Sequence, residues 1–180
     1  MGEILEEHRE YALVDRMADL LRDPPKTEFT ETFSYAIFSS IIPWICQRTR
    51  SREYRYLFDI LEKTLLPDEI AKYFRMEPNQ IIPNAGEALV AIRNAISHAD
   101  ARRVFPINDH GFLKGFKWIL KKNQNGNEIQ IGELIMRTIG IQNVGIFYAD
   151  FYCSNIRLHN ANQEDEQFYH AVKVALMEAA

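Results

Sequence analysis

The sequence predicts a mainly α-helical fold: a helical bundle that carries one small β-hairpin. Three observations predict it. Apolar residues recur at helical spacing along most of the chain. One helix-length stretch, Phe33–Arg48 (FSYAIFSSIIPWICQR), is apolar on nearly every side, as a central helix would be. The period changes in only one region, where alternation surrounds an Asn-Gly pair. The chain has 180 residues, 47% of them hydrophobic, enough for one domain spanning 1–180 with a real core.

The first helix is expected over Glu3–Leu21, and Pro24 and Pro25 stop it. Thr27 or Thr30 can cap the second helix, and Pro43 inside that helix either kinks or splits it. A third helix places Tyr54, Leu57, Phe58, Leu61 and Leu65 on one face. The stretch PDEIAKYFRM suits a short helix with Pro67 at its start, and Pro78 and Pro83 mark a loop. The next helix ends in AIRNAISHADARR, Ala91–Arg103. After it, Val104–Asn108 suits a short strand, and GFKWILKK, NQNGN and EIQI make the hairpin. The strand and hairpin together form an insertion of about 104–131. Helix is expected again over Glu133–Tyr152, with Gly140 and Gly145 weakening its middle. HNANQEDE reads as a loop and cap before a final helix, whose acidic first turn suits the positive helix end.

A formal charge of −4 and a pI near 5.8 argue against a globally basic nucleic-acid binder. They leave room for a local basic groove. The stretch Arg93–Lys122 holds seven cations (Arg93, Arg102, Arg103, Lys114, Lys117, Lys121, Lys122) against only Asp100 and Asp109. That excess suits a groove that tracks phosphates, or a solvated hairpin whose lysines guard an edge strand. Arg48, Arg50, Arg52 and Arg55 form a second cluster, read as a solvated helix junction. Phe116 and Trp118 suit either base stacking or the core. Cys46 and Cys153 lie far apart in apolar surroundings and read as buried reduced thiols, a disulfide being the alternative. No signal-peptide layout and no membrane-length apolar run is seen, so a cytoplasmic protein without membrane contact is expected. His8, His110, His159 and His170 have no ligand spacing, so neither a metal nor another cofactor is expected.

The chemistry concentrates on Arg93, Asn94 and His98. At roughly 100° per residue, Ala85, Leu89, Ile92 and Ile96 share one side of the helix. Glu87, Asn94 and His98 share the other, with Arg93 at the edge of their stripe, and Glu87 either modulates His98 or is simply exposed. A histidine can move a proton near neutrality, and an arginine can hold a phosphate. An asparagine can orient either. This set suits attack of an RNA 2′-OH on its neighbouring phosphate, and a second copy across a two-fold axis would supply the acid. Equally, a histidine at a helix C-terminus can simply bond the last carbonyls.

The segment LVAIRNAISHADAR resembles the signature helix of the HEPN superfamily: an arginine, a polar neighbour and, after an interval, a histidine. Arg93, Asn94 and His98 match these positions, and the expected order of a helical bundle, a motif helix, a hairpin and further helices resembles the family's layout. The resemblance implies a HEPN-like bundle and a metal-independent endoribonuclease, with the catalytic cleft between two motif helices of a homodimer. Arg93 and His98 would then be catalytic and Asn94 supporting, with Arg102, Arg103, Lys114 and Lys117 as candidate RNA-binding residues. It also implies a setting in toxin–antitoxin pairs or anti-phage defence, with an antitoxin as a candidate partner. Some members do not cleave and instead bind RNA, a nucleotide or a protein. Asp100 stands where members silenced by nucleotidyl transfer often carry a tyrosine, which argues against that form of control.

Overall fold

The computed structural model describes residues 9–81, 83–97 and 103–178. Its helices are α1 (Arg9–Arg22), α2 (Thr30–Thr49), α3 (Arg55–Lys63), α4 (Asp68–Ala71), α5 (Ala85–Ser97) and α6 (Thr138–Glu178). Its strands are β1 (Phe74–Met76), β2 (Val104–Asp109), β3 (Phe112–Gln124) and β4 (Asn127–Arg137), forming one antiparallel sheet in the order β1-β4-β3-β2. The fold is therefore α+β, which corrects the expectation of a mainly α bundle with a small hairpin.

Three local causes explain the correction. The stretch Glu133–Arg137 reads as the start of a helix, because leucine and methionine are good helix formers. In the structure it completes β4, with Leu134 and Met136 buried on one face and Glu133 and Ile135 on the other. His110 and Gly111 adopt positive φ (49° and 84°) between the paired residues Asp109 and Phe112, so a second tight turn joins β2 to β3. Asn125 and Gly126 (54° and 83°) make the turn that the Asn-Gly pair indicated. Finally, Phe74–Met76 is a strand rather than the end of a short helix, and it pairs with Gly132–Leu134.

Helix boundaries also differ. α2 runs unbroken through Pro43. No threonine caps it; Thr30 Oγ1 instead donates to the Thr27 and Pro25 carbonyls, and Thr27 Oγ1 accepts from the Phe29 amide, so both shape the preceding turn. α6 continues to Glu178 where two helices and a loop were expected. No proline or glycine lies between Cys153 and Glu178 to stop it. Gly140 and Gly145 are sites of close packing: a Cβ there would stand 2.9 Å from the Tyr73 ring and 2.5 Å from Leu21 Cδ1, respectively.

The core lies between the helices and the inner face of the sheet. Phe38, Ile41, Ile42 and Ile45 of α2, Leu89 and Ile92 of α5, and Tyr148 and Tyr152 of α6 are all fully buried. Trp118 of β3 is fully buried against Phe38, with ring centroids 5.7 Å apart, and Phe116 stacks on Tyr35 at 4.2 Å. Both aromatic rings therefore serve the packing of the sheet on α2. Cys46 and Cys153 are free and buried, as the sequence led us to expect.

Candidate functional site

α5 is the helix that positions the site. Asn84 caps it, its Oδ1 accepting the Glu87 amide at 2.8 Å. The buried face of α5 comprises Ala85, Gly86, Ala88, Leu89, Ala91, Ile92 and Ala95, wider than an Ala85–Ile96 stripe alone. Small residues let α5 approach its neighbours: a Cβ on Gly86 would lie 3.0 Å from the Glu62 backbone nitrogen of α3. The carbonyl of Ala85 accepts a buried hydrogen bond from Tyr148 Oη at 2.9 Å, which ties α5 to α6. Burial pushes the Tyr148 phenol far above its ordinary range, so it stays a donor.

Arg93 and Asn94 are half-buried on the opposite side, and Arg93 Nη1 donates to Asn94 Oδ1 at 3.0 Å. Asn94 in turn lines a groove of about 490 Å3 between α3, α5 and the far end of the sheet. Phe58, Val90, Ile81, Pro83, Met76 and Ile131 give the groove apolar surface. Arg50 and Arg55 approach it from one side, and Lys121 and Lys122 from the strand β3. Both guanidiniums stand over the Phe58 ring, Arg50 at 5.8 Å and Arg55 at 5.0 Å from its centroid. Glu87 faces Lys122 across the groove at 3.7 Å, and Glu62, Gln80 and Asn123 complete the polar lining. Arg50 and Arg93 also both act on the Cys46 thiol; burial raises that thiol's pKa and the two cations oppose the rise.

The expected site residues therefore separate. Arg93 and Asn94 come together on α5, and Asn94 of the two lines the groove. His98 and Arg102 lie outside the described residues. Arg103 is buried, and its Nη2 contacts Glu128 Oε2 at 2.5 Å. Lys117 bonds Glu133 at 3.1 Å and stands over the Phe105 ring, while Lys114 stands over Phe112. None of these three lines the groove. Residues that the sequence reading had set aside do line it. Arg50 and Arg55, assigned to a solvated junction, are brought there because α3 packs along α5. The signal available in the sequence was the alternation of arginines with Tyr54, Tyr56 and Phe58, since a guanidinium rests readily on an aromatic face.

Among the described residues no cluster of His, Cys, Asp or Glu could hold a metal ion, and no helix is long and apolar enough to cross a membrane. The chain matches no family model, no curated protein and no solved structure.

Proposed function

We propose that this protein is a metal-independent endoribonuclease that holds RNA in the α3–α5 groove and cleaves it beside the C-terminal end of α5. The observation that carries this reading is the double engagement of Asn94, which bonds Arg93 and also lines a groove with four cations on its rim. Cations at the rim offer phosphate contacts, and the apolar floor offers a surface for unstacked bases. The likeness of the Arg93-to-His98 stretch to the HEPN motif supplies the chemistry. His98 takes the proton of a 2′-OH, and that oxygen attacks the adjacent phosphorus. The bond to the 5′-oxygen breaks, the leaving oxygen takes a proton from the His98 of a second copy, and a 2′,3′-cyclic phosphate remains. Arg93 stabilises the charge on the phosphoryl oxygens and Asn94 orients Arg93. A toxin–antitoxin or anti-phage setting is part of the same reading.

The test is incubation of the purified protein with mixed RNA in EDTA. The wild type should leave cyclic phosphate ends, and His98→Ala and Arg93→Ala, with unchanged circular dichroism, should leave the RNA intact. Equal degradation by His98→Ala would dismiss the assignment. If the protein is toxic, inducing the wild type should slow growth and inducing either variant should not.

A second reading is a non-catalytic module that binds RNA. The observation favouring it is that Arg93 already donates to Asn94 and is half-buried. Tight RNA binding with no cleavage by any form would select it.

A further inference from the structure

The groove is polarised along its length. α3 and α5 run side by side, with Gly86 against Glu62 at one end. Two helical turns separate Arg55 from Glu62, and two separate Glu87 from Asn94, about 10 Å in each case. One end of the groove thus carries Arg50, Arg55 and Asn94, the end nearest to Arg93. The other carries Glu62 and Glu87, with Lys122 3.7 Å from Glu87, and Gln80 and Asn123 are also in the lining. Apolar surface from Phe58, Val90 and Ile81 lies with them. A cationic end, an apolar middle and an acidic end, where Lys122 already meets Glu87, match a single nucleotide: phosphate, base plane and polar base edge.

The geometry points to a one-nucleotide recognition subsite in this groove, selective for guanine. This reading rests on the proposal that the protein acts on RNA. Arg50 and Arg55 are pre-oriented on Phe58 and would hold the phosphate. The base would lie on the apolar surface, which suits an unpaired nucleotide rather than a duplex. The discriminating group is Glu62. It is exposed and lines the groove, whereas the neighbouring Glu87 is met by Lys122 at 3.7 Å. A carboxylate accepts two parallel hydrogen bonds, and guanine alone presents two adjacent donors, N1–H and the N2 amine, on one edge. Uracil presents a single N3–H there, flanked by carbonyls that a carboxylate repels. Gln80 and Asn123 can donate to the O6 and N7 acceptors.

The experiment uses the full chain as His98→Ala, so that binding is read without turnover. Its probes are the four nucleoside 5′-monophosphates and inorganic phosphate, titrated by calorimetry. Guanosine monophosphate should bind about tenfold more tightly than uridine monophosphate. Glu62→Ala should abolish that preference while retaining binding of all four, and Arg55→Ala should weaken all four alike. Equal affinity for the four, binding no tighter than inorganic phosphate, or a preference that survives Glu62→Ala would each overturn the subsite. Wild-type cleavage in EDTA separates this from the parent proposal. Cleavage with no base preference in the titration removes only the subsite; a guanine preference with no cleavage removes only the nuclease.

Discussion

Arg103 and Arg50 carry the same group into opposite circumstances. Arg103 lies just before the edge strand β2, 6% exposed, against Glu128. Arg50 is exposed at the groove, resting on an aromatic ring. The same division holds for the lysines: Lys117 bonds Glu133, whereas Lys122 faces Glu87 only loosely, at 3.7 Å. A run of positive charge in a sequence therefore says little about where an anion would bind. What decides is whether the fold has already supplied the cation with a close carboxylate. A buried, paired guanidinium is a structural part; an exposed one beside a concave apolar surface keeps its field for a ligand.

The largest effect should come from a change that removes the distinction by destroying the groove. Gly86→Val forces a branched side chain against the α3 backbone at Glu62. It should destabilise the protein by about 2–3 kcal/mol and abolish RNA binding at temperatures where the fold survives. Urea denaturation followed by binding at low temperature measures both. Next comes Glu128→Ala, which deprives the buried Arg103 of its 2.5 Å partner. The expected cost is about 2 kcal/mol, because the guanidinium stays out of water while this carboxylate is gone. RNA affinity should not fall, since Glu128 also stands 3.9 Å from the groove residue Lys121 and its removal relieves that cation. Arg50→Ala should do the reverse. Stability should move by less than about 0.5 kcal/mol, while RNA affinity falls and its salt dependence flattens by roughly one ion. If Glu128→Ala weakened binding and Arg50→Ala did not, the two classes of cation would have been assigned the wrong way round. Lys117→Ala, losing a half-exposed pair, should cost under about 1 kcal/mol and leave binding intact.

What was legible in the sequence follows the same logic. The apolar all-round stretch of α2, the polar stripe of α5 and the Asn-Gly turn are encoded within a few residues, so they could be read directly. The sheet was half legible. β3 was visible by alternation, but β1 is a three-residue strand whose existence depends on a partner far along the chain. β4 was read only over EIQI, and its second half was hidden because Leu134, Ile135 and Met136 suit a helix until the sheet claims them. His110-Gly111 carried a usable turn signal that an Asn-Gly rule alone passes over. At the site, Arg93 and Asn94 were found because one helix holds both. Arg50, Arg55, Lys121 and Lys122 join them from other elements, and nothing local in the chain states that α3 and β3 flank α5.

The finest test of the comparison uses the two cysteines as internal gauges. Both thiols are buried, and burial raises the pKa of each above the ordinary value of about 9.0. Cys153 is pushed up to about 12, first by burial and then by Asp15. Cys46 is raised too, but Arg50 of the groove and Arg93 act against the rise. An acid whose folded pKa lies above its unfolded one favours folding fully below the unfolded pKa. That contribution is lost as pH climbs through the interval between the two. The protein should therefore be at full thiol-linked stability below pH 9.0 and lose it progressively toward about 12. Arg50→Ala removes one of the two cations that favour the Cys46 thiolate, so it should steepen this alkaline loss slightly. Lys117→Ala, whose charge is not among those acting on Cys46, should leave the profile unchanged. Urea midpoints across the alkaline range, compared with the same variants carrying Cys46→Ala, read the difference. If Arg50→Ala shifts the profile equally with and without the thiol, Arg50 does not act on the buried sulfur. The effect is small, yet it would locate the field of Arg50 inside the folded protein independently of any ligand.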